Sequence, residues 1–379
     1  MRAGLLVVAL GLAACGAPVA SSHPGPRDGA TVDGVVPSDA TPPDAPSEAG
    51  RVDAVPLVAP PGAWTWIDVP GSACDDGTPT GIGVNSGTGD DLFVYFQGGG
   101  ACWDYTTCAV LNTSTHGPFG RAQWSANLGQ LGVGPFDRAR ATNAFRASTY
   151  VFIPYCTGDL HAGNNVQTYT GTGTRVIHHV GRKNAAAFVA RLAATWPRAA
   201  RVVVSGTSAG GFGATFNYDL FRGAFPAAKM DLVDDAGPLL EGEGINGGLR
   251  AAWFSVWRLG DVVDPLCPTC RTDLSGLYAA LATRYPQDRL TLLSVLTDPV
   301  ISLYFSLGLD QFEADLRATV HARFEPTPNV RAFLLAGTQH GLLPGTATTT
   351  APSASGGNVL LESWLDTMVN DGAWTTVAP

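Results

Sequence analysis

One serine lies in a short glycine motif between a strand pattern and a helix pattern. Residues 201–205 contain three consecutive valines and are typical of a buried strand, and a helical pattern rich in small residues begins just past Ala209. Between them, Gly206-Thr207-Ser208-Ala209-Gly210 matches G-x-S-x-G. A serine in such a strand-to-helix turn is strained, and neighbours without side chains avoid clashes there. The motif predicts Ser208 as a nucleophile and the Ala209 amide as a donor to an oxyanion; the alternative is a structural serine in a tight turn.

Short aliphatic runs alternate with helical patterns along the rest of the chain. Nearly continuous apolar strands are typical of a parallel sheet that is covered on both faces, and alternation with helices indicates an α/β architecture. Strands are predicted at 91–96, 149–154, 201–205, 230–233, 290–296 and 330–335, and helices at 183–196, 210–221, 276–284 and 358–369. Together with the nucleophile motif, this order predicts an α/β-hydrolase-like fold, with a mostly parallel sheet and helices on both faces.

A second glycine-rich segment follows the first predicted sheet strand. Residues 93–96 run into Gln97-Gly98-Gly99-Gly100-Ala101-Cys102-Trp103. In this fold the corresponding loop supplies an amide to the oxyanion hole, and removing one such donor costs on the order of 3 kcal/mol of transition-state stabilisation. We expect Gly99 and Gly100 to supply these amides. The alternative is a glycine-rich turn that only joins a strand to a helix.

A serine nucleophile needs a base within hydrogen-bond reach, normally a histidine. His340 follows the predicted strand 330–335 in the loop Gly337-Thr338-Gln339-His340-Gly341, whereas His321 lies inside the helical pattern 311–323. Because the base belongs at the carboxyl end of a strand, His340 is the predicted base. Its alternative is a solvent-exposed loop histidine.

The acid that orients the base should lie between the serine and the histidine in chain order. Asp298 comes directly after the predicted strand 290–296 and is the preferred residue. Four competitors remain open: two follow the preceding strand and two lie near a cysteine pair, namely Asp234, Asp235, Asp261 and Asp264.

The amino terminus predicts export. Arg2 precedes a short apolar stretch, residues 5–14, which is too brief to span a bilayer and is typical of a signal peptide. The run Leu12-Ala13-Ala14-Cys15 resembles a bacterial lipobox, so residues 1–15 are predicted to be a lipoprotein-type signal with Cys15 as the lipidated residue. The alternative is ordinary signal cleavage after Ala17 or Ala20. Gly16 after the cysteine favours the outer membrane or the cell surface.

Composition divides the remainder into two parts. Residues 16–60 are rich in Pro, Ala, Ser, Gly and Asp, with few large apolar side chains, and are predicted to form a disordered tether. Residues 61–379 are predicted to form one catalytic domain, whose only membrane contact would be the lipid anchor.

The cysteines support export. Besides Cys15 there are six, an even number, which in an exported protein indicates three disulfides. The close spacings favour Cys102–Cys108 and Cys267–Cys270, which leaves Cys74–Cys156. A metal bound by Cys267 and Cys270 is the alternative, but no second CxxC or nearby histidine completes a zinc set. The sequence predicts neither a metal nor a cofactor.

Charge excludes one class of partner. The formal net charge is −9, and no cluster of Lys or Arg is present, so binding to nucleic acid phosphates is not expected.

Three motifs together resemble the pectin acetylesterase/Notum family of carboxylesterases. They are residues 97–104, residues 153–159 with His161 nearby, and residues 206–211. The resemblance spans most of residues 64–345, and Asp298 and His340 fall where the family's acid and base stand. It implies an α/β-hydrolase fold, a metal-independent triad, an oxyanion hole from Gly99, Gly100 and Ala209, and removal of acyl groups such as acetyl from polysaccharide or a longer chain from a protein serine.

The resemblance has departures. Gly100-Ala101 stands where animal members place two aromatic residues, which argues against the long-chain activity. The resemblance assigns no chemistry to Asp159 or His161, and Trp103 either lines the cleft or packs beneath it.

The leading hypothesis is therefore an exported serine esterase that removes acyl groups, acetyl foremost, from an extracellular ester such as an acetylated polysaccharide. The alternatives are a lipase, polyester depolymerase or peptidase with the same triad, or a surface binding protein without turnover.

Overall fold

The computed structural model describes residues 55–128, 131–353 and 356–379. The predicted signal, Cys15 and residues 16–54 of the predicted tether lie outside the described residues. Leu57, near the end of the predicted tether, is buried, and its amide donates a hydrogen bond to Thr195 Oγ1 at 2.7 Å. The packed chain therefore includes a few residues before position 61.

A mixed sheet forms the centre of the described chain. Its strand order is β1-β2-β4-β3-β7-β8-β9-β10, and eight described strands take part. The strands from β4 to β10 in this order are parallel, whereas β1 and β2 are antiparallel additions at one edge. The bounds are β1 Thr65–Ala73, β2 Pro79–Asn85, β3 Leu92–Phe96, β4 Thr149–Ile153, β7 Arg201–Thr207, β8 Lys229–Asp235, β9 Arg289–Val295 and β10 Val330–Leu335.

Helices cover both faces of this sheet. Their bounds are α1 Arg121–Asn127, α2 Gly181–Thr195, α3 Ala209–Ala224, α4 Gly247–Val256, α5 Gly260–Val263, α6 Gly276–Arg284, α7 Pro299–Phe305, α8 Leu309–Thr319 and α9 Leu361–Val369. The predicted fold class, a mostly parallel sheet with helices on both faces, is confirmed.

The central strands carry consecutive apolar residues because both faces of the sheet are buried. In β7, Val202 and Val204 belong to the core that includes α2 and α3, whereas Val203 belongs to the core that includes α1 and α9. Alternate side chains of a strand point to opposite faces, so an uninterrupted valine run serves both cores. This is why the periodicity of these segments predicts parallel strands so well.

Two small hairpins lie outside the main sheet. They pair β5 Asn165–Thr170 with β6 Thr174–His179, and β11 Thr350–Pro352 with β12 Asn358–Leu360. The prediction of a helix from residue 358 was wrong for its first turn. Residues 358–360 pair with β11 as a strand, and the helix begins at Leu361.

The three predicted disulfides are confirmed in the described residues. Cys74 pairs with Cys156, Cys102 with Cys108, and Cys267 with Cys270. The first joins the loop after β1 to the loop after β4. The second closes a six-residue separation directly after the glycine-rich loop. No helix among the described residues is long and apolar enough to cross a membrane.

Candidate active site

Ser208 lies in the turn between β7 and α3 with a backbone that few residues adopt. Its φ is 61° and its ψ is −125°, and such positive-φ conformations cost on the order of 1–3 kcal/mol. The glycines on either side are required by space. A Cβ on Gly206 would overlap the Gly210 carbonyl, and a Cβ on Gly210 would overlap the Phe96 carbonyl. The turn therefore has the geometry that the G-x-S-x-G motif predicts.

His340 and Asp298 meet at the carboxyl edge of the sheet. His340 Nδ1 lies 2.7 Å from Asp298 Oδ2. The other carboxylate oxygen accepts the Val300 amide at 2.8 Å and the Ile301 amide at 3.1 Å, so Asp298 is the N-cap of α7. Asp298 is completely buried, whereas the His340 side chain is 24 % exposed. With Nδ1 directed at the carboxylate, Nε2 is the nitrogen left to exchange a proton.

The histidine loop packs directly against the residue before Ser208. Gly341 has a φ of 79°, and a Cβ there would lie 2.7 Å from Thr207 Cγ2. A residue with a side chain is thus disfavoured at position 341 by both backbone and space. This close approach places His340 at the edge of the sheet that carries the nucleophile.

Asp235, one of the competing acids, binds backbone groups on both loops. Its carboxylate accepts the Leu342 amide at 2.8 Å, the Leu343 amide at 3.0 Å and the Thr207 hydroxyl at 2.8 Å. Its own carbonyl accepts the Ser208 amide at 2.7 Å. Burial raises the pKa of Asp235 to about 6, against the lowering effect of these hydrogen bonds. Asp235 therefore ties the nucleophile turn to the histidine loop.

The other competing acids have different partners. Asp234 is buried against α3 and accepts a hydrogen bond from the Thr215 hydroxyl at 2.9 Å. Burial raises its pKa well above the usual value. Asp261 and Asp264 pair with Arg258 and Arg271 near the surface. His321 is 80 % exposed and pairs with Glu325. Among the candidate acids and bases, the structure brings Asp298 and His340 together.

The glycine-rich loop after β3 passes beside the nucleophile. A Cβ on Gly98 would lie 3.1 Å from Ser208 Cβ. Gly99 and Gly100 have φ values of 155° and 76°, and the Gly99 carbonyl accepts the Thr115 amide at 2.7 Å. Gly100 and Ala209, two of the predicted amide donors, line one small cavity together with Ser208.

His161 anchors this loop from beneath. Its Nε2 lies 2.9 Å from the Gln97 carbonyl, and its ring contacts Phe96 and Tyr155. Burial lowers the pKa of His161 to about 4, so the ring is neutral at pH 7 and donates Nε2–H to that carbonyl. Sequence reasoning assigned no role to this residue, because the contact joins positions 64 residues apart.

Asp159 holds the neighbouring segment. Its carboxylate accepts the Thr157 hydroxyl at 2.6 Å and the Gly181 amide at 2.8 Å. Burial raises its pKa to about 6, with the hydrogen bonds opposing the rise. Asp159 therefore connects the loop after β4 to the start of α2. Trp103 is partly buried against the core.

The cavity at Ser208 is narrow and mainly apolar. It holds about 20 Å³, little more than the roughly 10–15 Å³ that accommodates one water molecule. Its walls come from the glycine-rich loop, the loop after β4, the turn at Ser208, α3, α4 and α7: Gly100, Ala101, Leu160, Ser208, Ala209, Phe212, Trp253, Ile301, Tyr304 and Phe305. The cavity has room for a group about the size of a methyl.

A larger cavity lies on the opposite face of β3. It holds about 340 Å³, and its lining includes Tyr95, Phe136 and Phe152 together with Leu343 from the histidine loop. Ser208 is not part of that lining. The smaller cavity is therefore the one that begins at Ser208.

Two palmitoleoyl-protein carboxylesterases are similar in sequence to part of this chain. Palmitoleoyl-protein carboxylesterase notum2 of Xenopus laevis is 28 % identical over 151 residues, which is 38 % of this chain and 29 % of that protein. Palmitoleoyl-protein carboxylesterase notum1a of Danio rerio is 27 % identical over 154 residues, again 38 % of this chain and 29 % of that protein. The chain thus matches less than a third of the length of these relatives.

A solved structure has the same fold. The Wnt deacylase Notum from Drosophila matches with a TM-score of 0.54 at 18 % identity, over 82 % of this chain and 94 % of that chain. The family model described as Pectinacetylesterase matches residues 65–295. That segment contains the nucleophile turn and the glycine-rich loop and ends just before Asp298. Because the matched segment is more than half of the sequence, the chain belongs to the pectinacetylesterase family.

Proposed function

We propose that this protein is a serine esterase that removes short acyl groups, acetyl foremost, with Ser208 as nucleophile, His340 as base and Asp298 as the acid that orients the base. The hydrogen bond between His340 Nδ1 and Asp298 Oδ2 at 2.7 Å carries the proposal. It leaves Nε2 available at the sheet edge where the strained Ser208 turn lies. Family membership supports an ester substrate.

The reaction has two steps. His340 Nε2 takes the Ser208 hydroxyl proton as Oγ attacks the ester carbonyl, and the tetrahedral oxyanion accepts hydrogen bonds from the Gly99, Gly100 and Ala209 amides. Collapse expels the alcohol, which takes the proton from His340 and leaves an acyl group on Oγ. A water molecule then loses a proton to His340 and attacks this acyl-enzyme, which releases the carboxylic acid and restores Ser208.

The cavity supports a short acyl group. An acyl chain on Oγ would enter the space of about 20 Å³ between Ala101, Phe212 and Phe305. That space suits the methyl of an acetyl group. It does not suit the long palmitoleoyl chain that appears in the names of the related carboxylesterases. The alcohol portion of the substrate, a carbohydrate in our proposal, would lie outside this cavity.

We also propose that the protein is exported, and that Cys15 carries a lipid. Three disulfides in the described part of the chain support an oxidising compartment. Lipidation is tested by the distribution of the full chain and of Cys15→Ala between membrane and soluble fractions. Lipidation predicts that Cys15→Ala leaves the membrane fraction, and an unchanged distribution would exclude it.

A fluorophosphonate probe tests the catalytic assignment. We expect the probe to label the wild-type protein on Ser208 and to leave Ser208→Ala unlabelled, with Ser125→Ala, an exposed serine on α1, labelled like wild type. The same proteins are then assayed with p-nitrophenyl acetate. A peptidase or lipase would be labelled but would prefer peptide or long-chain esters, and a binding protein would not be labelled at all. Absence of labelling and of ester turnover would refute the proposal.

A further inference from the structure

The Tyr304 hydroxyl occupies the space that a side chain at position 100 would need, and both residues line the cavity at Ser208. The Tyr304 hydroxyl donates a hydrogen bond to the Thr113 carbonyl. A Cβ on Gly100 would overlap both this hydroxyl and the Thr113 carbonyl. The Thr113 carbonyl and the Tyr304 hydroxyl together leave no room for a side chain at position 100.

We propose that Tyr304 sets the acyl-chain limit of the site: its ring closes the cavity that begins at Ser208, so that acetyl fits and chains of six carbons or more do not. The inference rests on the proposed function and assigns a specificity-determining role to one side chain. It also predicts which change would lengthen the accepted chain.

The size of the cavity supports a strict limit. A space of about 20 Å³ accommodates about one water-sized group. The methyl of an acetyl group is of that size, whereas each added methylene needs further room. Close-packed protein interiors give little room without the displacement of a side chain.

Tyr304 is the wall residue whose removal opens the cavity without emptying the core. Phe212, Trp253 and Phe305 form the inner wall, and each is at most 3 % exposed. Their rings contact one another, with centroids 6.1–6.4 Å apart. Their truncation would leave a void in the core and destabilise the protein. Tyr304 is only partly buried and packs at the edge of that core, so its truncation opens a path from the cavity outward.

The test measures kcat/KM for p-nitrophenyl acetate, butyrate, hexanoate and octanoate in wild type, Tyr304→Ala and Tyr304→Phe. Leu303→Ala is the matched control, because Leu303 precedes Tyr304 on α7 and is 78 % exposed. We expect the kcat/KM of the wild-type protein to be at least tenfold lower for hexanoate than for acetate. Tyr304→Ala should raise the hexanoate-to-acetate ratio at least tenfold, whereas Tyr304→Phe, which keeps the ring, and Leu303→Ala should keep the wild-type ratio. An unchanged ratio in Tyr304→Ala would overturn the inference.

A binding measurement separates this inference from the proposed function. Acetate, butyrate, hexanoate and octanoate are titrated calorimetrically into Ser208→Ala and into Ser208→Ala with Tyr304→Ala. The double variant should bind octanoate at least tenfold more tightly than the single variant does. Equal affinities would refute the role of Tyr304 even if no ester is hydrolysed, whereas the absence of ester hydrolysis alone would refute only the proposed function.

The larger cavity supplies the competing explanation. If acyl chains entered the 340 Å³ cavity instead, wild type would hydrolyse octanoate as readily as acetate. Val133→Trp, placed at the half-exposed rim of that cavity, would then reduce octanoate turnover selectively. Our inference predicts that Val133→Trp leaves the ratios among the four esters unchanged.

Discussion

Asp298 holds His340 with one carboxylate oxygen and the start of α7 with the other. The distances are 2.7 Å from Oδ2 to His340 Nδ1, and 2.8 Å and 3.1 Å from Oδ1 to the Val300 and Ile301 amides. An acid fixed in this way cannot rotate without losing a helix cap, a change that typically costs about 1 kcal/mol. The imidazole is therefore oriented by a group that is itself oriented.

The first prediction separates Asp298 from Asp235. We expect Asp298→Asn to lower kcat by about 10⁴-fold, because an amide facing Nδ1 favours the wrong tautomer. Asp235→Asn should lower kcat much less and should lower stability more, since one amide hydrogen would face the Leu342 or Leu343 amide. Steady-state kinetics and urea unfolding of both variants check this. A larger loss of kcat in Asp235→Asn would reassign the acid.

The second prediction concerns two glycines near opposite ends of α3. Gly210→Ala should prevent folding or cost several kcal/mol, because its Cβ would overlap the Phe96 carbonyl. Gly223→Ala, with nothing within 4 Å of the new Cβ, should instead stabilise the protein by about 0.5–1 kcal/mol through helix propensity. Thermal unfolding compares the two. Equal effects would contradict the geometry of the nucleophile turn.

The third prediction concerns acid stability. Burial lowers the pKa of His161 to about 4. In the unfolded chain, the pKa of a histidine is about 6.5. Between these values the unfolded state binds more protons, so stability rises with pH from about 4 to 6.5 and is lost in acid. This difference amounts to about 3 kcal/mol for one histidine at 1.36 kcal/mol for each pKa unit.

His161→Gln should remove this contribution while an amide hydrogen still reaches the Gln97 carbonyl. We expect the variant's stability to fall less than that of wild type between pH 6.5 and 4, as measured by urea unfolding. His321→Gln, at a histidine that is 80 % exposed, is the control and should follow wild type. Parallel curves for His161→Gln and wild type would show that the ring is not held neutral.

The fourth prediction ranks two disulfides. The Cys74–Cys156 bond joins residues 82 apart and the Cys267–Cys270 bond residues 3 apart. In the chain-entropy account, loss of the first should cost about 4.5 kcal/mol and loss of the second about 2 kcal/mol. Guanidinium unfolding of the paired Cys→Ala variants measures both. The reverse order would mean that native packing, rather than loop closure, dominates.

The sequence predicted the central strands and the candidate site because both depend on local patterns. Strands β3, β4 and β7–β10 are short segments rich in apolar residues, and Ser208, Asp298 and His340 each follow one of them within five residues. Carboxyl ends of parallel strands meet at one edge of the sheet, so the strand ends alone predict that these residues lie at that edge. The antiparallel strand β2, with the sequence PTGIGVN, was not predicted, because its two glycines have low strand propensity and leave only three β-branched side chains to indicate a strand.

The contacts of Tyr304 and Asp235 could not be predicted, since they join distant parts of the chain. Tyr304 meets Thr113 across 191 residues, and Asp235 meets Leu342 across 107 residues. Motif spacing contains no information about such pairs. Sequence spacing likewise gave no information about which groups face each carboxylate: Asp298 faces His340, and Asp235 faces the Leu342 amide.

The seven residues of α7 follow Asp298 directly and carry Tyr304 near their end. A shift of this helix that widened the cavity would also tilt the carboxylate away from the imidazole. Variants that accept larger substrates should therefore carry a smaller side chain at position 304 and keep α7 in its present position. Homologues with a displaced α7 should have lost turnover altogether.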